Sequence, residues 1–102
     1  KVKAVDLAKR FLAKSRNPQE LTFLGSLFAQ YRFSSMAFSF YFKALKIDPS
    51  YKNAFLEVGK LYGNLGHLKR AIVFWQEGLR YHPSEKRFGE LIAEARRLFQ
   101  QK

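Results

Sequence analysis

The sequence contains no cysteine and no long apolar run. Without cysteine the chain forms no disulfide and has no thiolate for catalysis or for a zinc site. No stretch approaches the roughly 18 to 20 consecutive apolar residues of a membrane-spanning helix, and we therefore expect no membrane span. These absences argue against disulfide-stabilised, thiol-dependent and membrane-spanning classes of protein.

Acidic residues are also few. The chain has 8 Asp and Glu against 19 Lys and Arg, which gives a formal net charge of +11 at pH 7. An excess of this size favours an acidic partner, either an acidic protein segment or nucleic acid. A convex surface that is solvated by lysine explains it equally well, and composition alone does not separate the two interpretations.

Apolar residues make up 47% of the sequence and aromatic residues 17%, which is enough to build a buried core. We therefore expect residues 1–102 to form one domain. No signal segment leads the sequence, and the location stays open, with the cytoplasm favoured over other compartments. The start at Lys1 rather than Met is compatible with a fragment of a longer chain.

A pattern of unlike residue types recurs at an interval of 34 residues. It contains a large apolar residue, an apolar residue followed by glycine, an aromatic, an alanine, a second aromatic, a small residue and a proline. The first copy is Leu21, Leu24, Gly25, Phe28, Ala37, Tyr41, Ala44 and Pro49, and the second is Phe55, Val58, Gly59, Tyr62, Ala71, Trp75, Gly78 and Pro83. Small residues at fixed positions favour a close approach of paired helices, and Trp75 is predicted to be buried.

This pattern resembles the tetratricopeptide repeat (TPR) family. The resemblance implies an all-α fold, a right-handed α-solenoid of antiparallel helix pairs with about six helices. The chain then divides into a diverged N-terminal helix over 1–16, repeats over 18–51 and 52–85, and a C-terminal capping helix over 86–102. The resemblance also implies a module that binds a peptide or partner protein and needs no cofactor.

Local signals predict where helices begin. Asn17 and Pro18 suit a helix start, and Glu20 stands at the acidic position of a capping box. A serine at 34 or 35 is expected to cap the third helix, and Ser84 the sixth.

The turn inside the first repeat differs from the second at one position. Arg32 stands where the second repeat has Gly66. If this position requires a left-handed backbone, the first turn is either strained or wound differently.

The resemblance implies that the first helix of each repeat lines a concave, peptide-binding groove. The residues expected to line it are Gln19, Thr22, Phe23, Ser26, Gln30, Asn53, Leu56, Glu57, Lys60, Asn64, Arg87, Glu90, Glu94 and Arg97. Most are polar, with Phe23 and Leu56 as apolar anchors, although amphipathicity alone also explains a polar outer face. The family's clamp for a C-terminal carboxylate requires other side chains than Thr22, Ser26 and Glu57, so binding to chaperone tails is not expected.

The sequence gives little support to catalysis. His67 and His82 fall in turns at opposite ends of one helix, so they cannot share a metal within it. No glycine-rich loop precedes a helix in the phosphate-binding pattern. We therefore predict a protein that is not an enzyme and that uses neither a metal nor a cofactor.

Two other functions stay open beside binding of an acidic peptide. A basic helical repeat can bind nucleic acid through surface Lys and Arg. An unpaired edge at the N-terminal helix can support a homo-oligomer. A salt titration separates peptide binding from nucleic-acid binding, because binding to phosphate weakens steeply as salt rises.

Overall fold

Residues 2–100 fold into six α-helices joined by short turns. The structure is a computed structural model that describes these residues, with side chains described from residue 6 onward. The helices are α1 (Val2–Lys14), α2 (Pro18–Gln30), α3 (Ser34–Ile47), α4 (Lys52–Asn64), α5 (Leu68–Tyr81) and α6 (Lys86–Gln100). This part of the chain contains no strand, and none of its helices is long and apolar enough to cross a membrane.

The helices form two compact units, Lys1–Pro49 with α1 to α3 and Ser50–Lys102 with α4 to α6. In the first unit α2 packs along α3, and α1 touches α3. In the second unit α5 packs against both α4 and α6. Position 1 of the predicted first helix and positions 101 and 102 of the predicted capping helix lie outside the described residues.

The start of α2 follows the predicted cap. The Asn17 side-chain oxygen accepts hydrogen bonds from the backbone N–H groups of Gln19 at 2.9 Å and Glu20 at 3.2 Å. Pro18 follows as the first helical residue, where its missing N–H costs nothing. In a capping box the Glu20 side chain would accept from the backbone N–H of Asn17. Here that N–H donates to the hydroxyl of Ser15 at 3.3 Å instead.

The predicted serine cap of α3 is wrong. Phe33 occupies the capping position, and its side chain makes no capping hydrogen bond. The Phe33 N–H donates to the Phe28 carbonyl at 2.9 Å, while the Phe33 carbonyl accepts from Ala37 N–H at 3.0 Å. One residue therefore closes α2 and opens α3, so that Ser34 and Ser35 fall inside the helix.

Arg32 has the left-handed backbone that the comparison with Gly66 suggested. Its φ angle is 67°, and that of Gly66 is 87°. The Arg32 N–H donates to the Ala29 carbonyl at 3.0 Å, as Gly66 N–H does to the Gly63 carbonyl at 3.0 Å. The two turns are wound alike, and the first one holds a non-glycine residue in a costly conformation.

The start of α6 also differs from the prediction, because Glu85 and not Ser84 precedes the helix. Glu85 N–H donates to the His82 carbonyl at 3.0 Å, which places Ser84 within a turn. The Glu85 carboxylate accepts from the backbone N–H of Arg87 at 3.3 Å. A carboxylate at a helix start also interacts favourably with the helix dipole.

The core of the second unit confirms the predicted burial of Trp75, whose side chain is 4% exposed. Its indole lies directly over Gly59, where an added Cβ would come within 2.1 Å of Nε1. The indole N–H donates to the Leu56 carbonyl at 3.3 Å. Gly78 meets the ring of Phe88 in the same way, so α5 packs closely on both of its neighbours.

Candidate partner-binding surfaces

The predicted contact residues of α2 do not all reach the surface. Gln19, Phe23 and Gln30 are exposed, and Phe23 is 64% exposed. Ser26 is half-buried, with its hydroxyl 3.1 Å from that of Tyr41. Thr22 is only 6% exposed, because α2 buries Thr22 beside Leu21 and Gly25. Its side chain is therefore not available to a partner.

The predicted residues of α4 divide in the same way. Asn53, Lys60 and Asn64 are exposed, and Glu57 is half-buried. Leu56, expected to be an apolar anchor, is 2% exposed. The reason is that α4 buries most of its circumference, namely Ala54, Phe55, Leu56, Val58, Gly59 and Leu61. The free face of this helix is therefore a narrow stripe with Asn53, Glu57, Lys60 and Asn64, and Leu56 lies beside it on the buried side.

The four predicted residues of α6, which are Arg87, Glu90, Glu94 and Arg97, are all exposed. Arg97 forms an ion pair with Glu94 one turn away. An exposed ion pair of this kind adds little stability, so either side chain can leave it and pair with a charged group of a partner.

Charges in the second unit form one group around Arg87. Its guanidinium donates to Glu85 from Nε at 3.0 Å, and Lys52 approaches the other oxygen of Glu85 at 3.1 Å. Hydrogen bonds from the Arg87 side chain, then from Lys52, lower the pKa of Glu85 to about 2. The hydrogen bond to Glu85 raises the pKa of Arg87, and the charge of Glu57 adds to the effect.

Glu57 also pairs with Lys60 at 3.6 Å. The structure therefore brings three predicted contact residues, Glu57, Lys60 and Arg87, into one electrostatic group, whose net charge is positive. An acidic side chain would be attracted to it.

Sequence reasoning missed a cleft in the first unit between α1 and α2. Its walls carry Leu7, which is 63% exposed, Phe11, which is 40% exposed, and Phe23. The cleft has a volume of about 440 Å³. Leu7, Ala8 and Phe11 recur at helical spacing in the sequence, but such an apolar stripe is ordinarily assigned to the core. Its exposure depends on which helices cover it, and the stripe itself does not encode that.

A basic recess lies elsewhere in the same unit, between the end of α1 and α3. Arg16, Lys43 and Lys46 line it. The Lys43 ammonium donates to the Leu12 carbonyl near the end of α1. Partial burial lowers the pKa of Lys43, and the charges of Arg16 and Lys46 lower it further. Three cations thus lie close enough to repel one another.

Both histidines have structural contacts. His82 Nε2 hydrogen-bonds with the Ser50 carbonyl, and His67 packs edge-on against Tyr62 with ring centroids 6.3 Å apart. Within residues 2–100, no group of three or more His, Cys, Asp or Glu side chains is placed to hold a metal ion.

Comparison with known proteins supports the fold. No protein-family model matches the chain. No curated protein matches it by sequence. Among solved structures, a mutant of MamA, which is a TPR-like protein, aligns with a TM-score of 0.70 over 96% of this chain and 72% of that one, at 23% sequence identity. This likeness shows the fold alone, and it confirms the predicted all-α fold of the TPR-like solenoid type with six helices.

Proposed function

We propose that this chain is a protein-interaction module that binds a peptide segment of a partner protein. The observation that carries the proposal is Phe23, a large apolar side chain that is 64% exposed on a face of α2 whose other exposed residues include Gln19 and Gln30. Large exposed apolar side chains beside polar groups are typical of recognition surfaces. The TPR-like fold adds support by analogy.

The second unit carries a charged surface of its own that suits an acidic peptide. On α4 and α6 the exposed Lys60 and Arg87 lie in a group with positive net charge, and exposed amides at Asn53 and Asn64 can hydrogen-bond to a peptide backbone. The partner segment is therefore acidic in character. We expect micromolar affinity, about −8 kcal/mol, as suits a small module.

A displayed library of random peptides tests the proposal against a matched pair of variants. Lys60→Glu reverses a charge within the proposed surface, and Lys86→Glu reverses an exposed charge at the start of α6. Both change the net charge equally. Selected acidic peptides should bind Lys60→Glu more weakly than wild type and bind Lys86→Glu nearly as well. Failure to select any peptide would contradict the proposal, and equal losses in the two variants would show that the charges of the second unit do not bind the peptide.

Binding to a polyanion such as nucleic acid is the second candidate. The observation that favours it is the basic recess formed by Arg16, Lys43 and Lys46. A single-stranded RNA of mixed sequence is a suitable probe. If this function is correct, the affinity for RNA falls steeply with salt. It should also fall in Lys46→Glu, while peptide binding persists.

A further inference from the structure

The cleft between α1 and α2 is lined almost entirely by apolar side chains. Ala8, Leu24, Phe28 and Phe40 line it together with Leu7, Phe11 and Phe23, and Glu20 is the one charged residue of its lining. Leu7 and Phe11 are one helical turn apart on α1, and Phe23 faces them from α2. Exposed apolar side chains that are grouped in this way mark an interaction site. The cleft therefore suits apolar side chains of a partner.

Cations border the cleft on one side. An adjoining recess of about 670 Å³ shares Leu7, Phe11 and Glu20 with the cleft and also contains Arg10, Lys14 and Arg16. Among the described residues, none of these three cations forms an ion pair with a carboxylate. Their charge is therefore available to an acidic partner beside the apolar surface.

The arrangement on α1 also indicates the conformation of the partner. Leu7 and Phe11 form an apolar row, and Arg10 and Lys14 form a basic row directly beside it, each with the spacing of one turn. A partner helix can present an apolar row and an acidic row side by side. An extended strand places alternate side chains on opposite faces and cannot match both rows at once.

We propose that this cleft binds an amphipathic helix of a partner protein, with leucine or aromatic side chains seated between Leu7, Phe11 and Phe23 and acidic side chains opposite Arg10 and Lys14. The inference rests on the proposed function and names the partner's chemistry. A second copy of this chain fits less well, because its net charge of +11 opposes self-association.

The probe is a displayed library of acidic amphipathic peptides about 16 residues long, which span roughly 24 Å as helices. Two control libraries keep the apolar positions and replace the acids by lysine, or keep the composition and scramble the pattern. Peptides selected from the first library are labelled, and their affinity for the whole chain is measured by fluorescence anisotropy. The proposal requires that the acidic amphipathic library alone yields binders.

Two pairs of variants locate the binding. Leu7→Ala removes an apolar wall of the cleft, and its control Val73→Ala truncates a side chain that is 60% exposed on α5. Arg10→Glu reverses a charge of the basic row, and its control Lys9→Glu reverses an exposed neighbour that lines neither recess. Circular dichroism establishes that all four variants are folded.

We expect Leu7→Ala and Arg10→Glu each to weaken binding by about tenfold or more, as truncation of a contact at the centre of an interface does. The controls should stay close to wild type. Equal selection of lysine peptides, or an unchanged affinity in Leu7→Ala, would overturn the cleft as the site. Self-association that Leu7→Ala abolishes would assign it to a second copy. If selected peptides respond only to Lys60→Glu, the cleft proposal fails and the proposed function stands.

Discussion

The pair α2–α3 of the first unit and the pair α4–α5 of the second use one packing device with different residues. In each pair a glycine on the first helix lies under an aromatic ring of the second, Gly25 under Tyr41 and Gly59 under Trp75. The buried polar end of each ring finds a different partner. The Tyr41 hydroxyl pairs with Ser26, while the Trp75 N–H donates to a backbone carbonyl. Both pairs therefore pack a glycine under an aromatic ring, but the hydrogen bond made by the ring's polar group differs between them.

The turns inside the two helix pairs also share one hydrogen-bond pattern with different residues. In the first turn the Phe33 N–H donates to the Phe28 carbonyl at 2.9 Å, and in the second the His67 N–H donates to the Tyr62 carbonyl at 2.8 Å. The same residues also pack ring against ring, with centroids 6.0 Å and 6.3 Å apart. Hydrogen bonds and ring packing thus hold Arg32 in a left-handed backbone conformation that a non-glycine residue disfavours.

The largest effect should come from removing the large partner of either pair. Trp75→Ala and Tyr41→Ala each leave a cavity and should lower the free energy of unfolding by roughly 3 to 5 kcal/mol. Urea denaturation measures this loss. The emission of Trp75, the single tryptophan, should be that of a buried indole in the wild type. Solvent-like emission, or a loss in only one of the two variants, would break the equivalence of the pairs.

Adding volume at the small partner should cost less. A Cβ on Gly59 would meet Nε1 of Trp75 at 2.1 Å, and one on Gly25 would meet Cε1 of Tyr41 at 2.6 Å. Alanine at either position should therefore lower the free energy of unfolding by roughly 1 to 3 kcal/mol, with the larger loss at Gly59.

Gly63 is the control for this pair of substitutions, because a Cβ added to it would meet no other atom within 4 Å. Gly63→Ala should raise the free energy of unfolding by up to about 1 kcal/mol through helix propensity. Thermal unfolding of the three alanine variants checks the ranking. A destabilised Gly63→Ala beside a neutral Gly59→Ala would reverse the argument.

The repeat predicted the fold well because it encodes contacts within each pair. The pattern at a 34-residue interval implied antiparallel helix pairs with about six helices, and small residues at fixed positions predicted the burial of Trp75. Helix starts were predicted less well, since Phe33 and Glu85 take positions that short turns decide. These turns depend on backbone hydrogen bonds more than on the identity of the nearby serines.

The candidate surface was harder to predict than the fold. The family resemblance implied that Leu56 and Thr22 line a groove, but burial depends on how many neighbours a helix has. The same limit hid the cleft, because Leu7 belongs to an apolar stripe that the sequence assigns to a core. Polar residues such as Gln19 and Asn53 are exposed, and their role in binding stays a prediction.

Relieving the strained turn at Arg32 should raise the free energy of unfolding, whereas the core substitutions lower it, and the change should be smaller. Arg32→Gly removes the steric cost of a left-handed L-residue, while glycine gains entropy in the unfolded chain. We expect the free energy of unfolding to rise by up to about 1 kcal/mol, or several degrees in Tm for a chain of this size. Gly66→Arg, the reverse change, should lower it by a similar amount. Equal Tm values for both variants would show that the turns are not alike.

The smallest effect concerns the residues that precede three helices at the repeat interval, Asn17, Tyr51 and Glu85. Asn17 caps α2 through an uncharged oxygen, Tyr51 makes no side-chain capping bond, and Glu85 accepts from the Arg87 N–H through a carboxylate. The side-chain hydrogen bonds from Arg87 and Lys52 lower the pKa of Glu85 to about 2, below the ordinary value near 4.3 that it has when unfolded. The stabilisation from this carboxylate is therefore fully present above the unfolded pKa and is lost as pH falls through the folded pKa.

Glu85→Gln should accordingly lower Tm slightly at neutral pH, and the difference from wild type should shrink as pH falls from about 4.5 toward 2. Asn17→Ala is the uncharged counterpart and should cost about 1 kcal/mol without a comparable dependence on pH over the same interval. Arg87→Gln removes the principal donor to Glu85 and should reproduce part of the pH effect. The measurement is Tm against pH for the three variants and wild type. A Glu85→Gln difference that stays constant down to pH 2 would mean that the carboxylate does not act through its charge, and the start of α6 would then resemble that of α2.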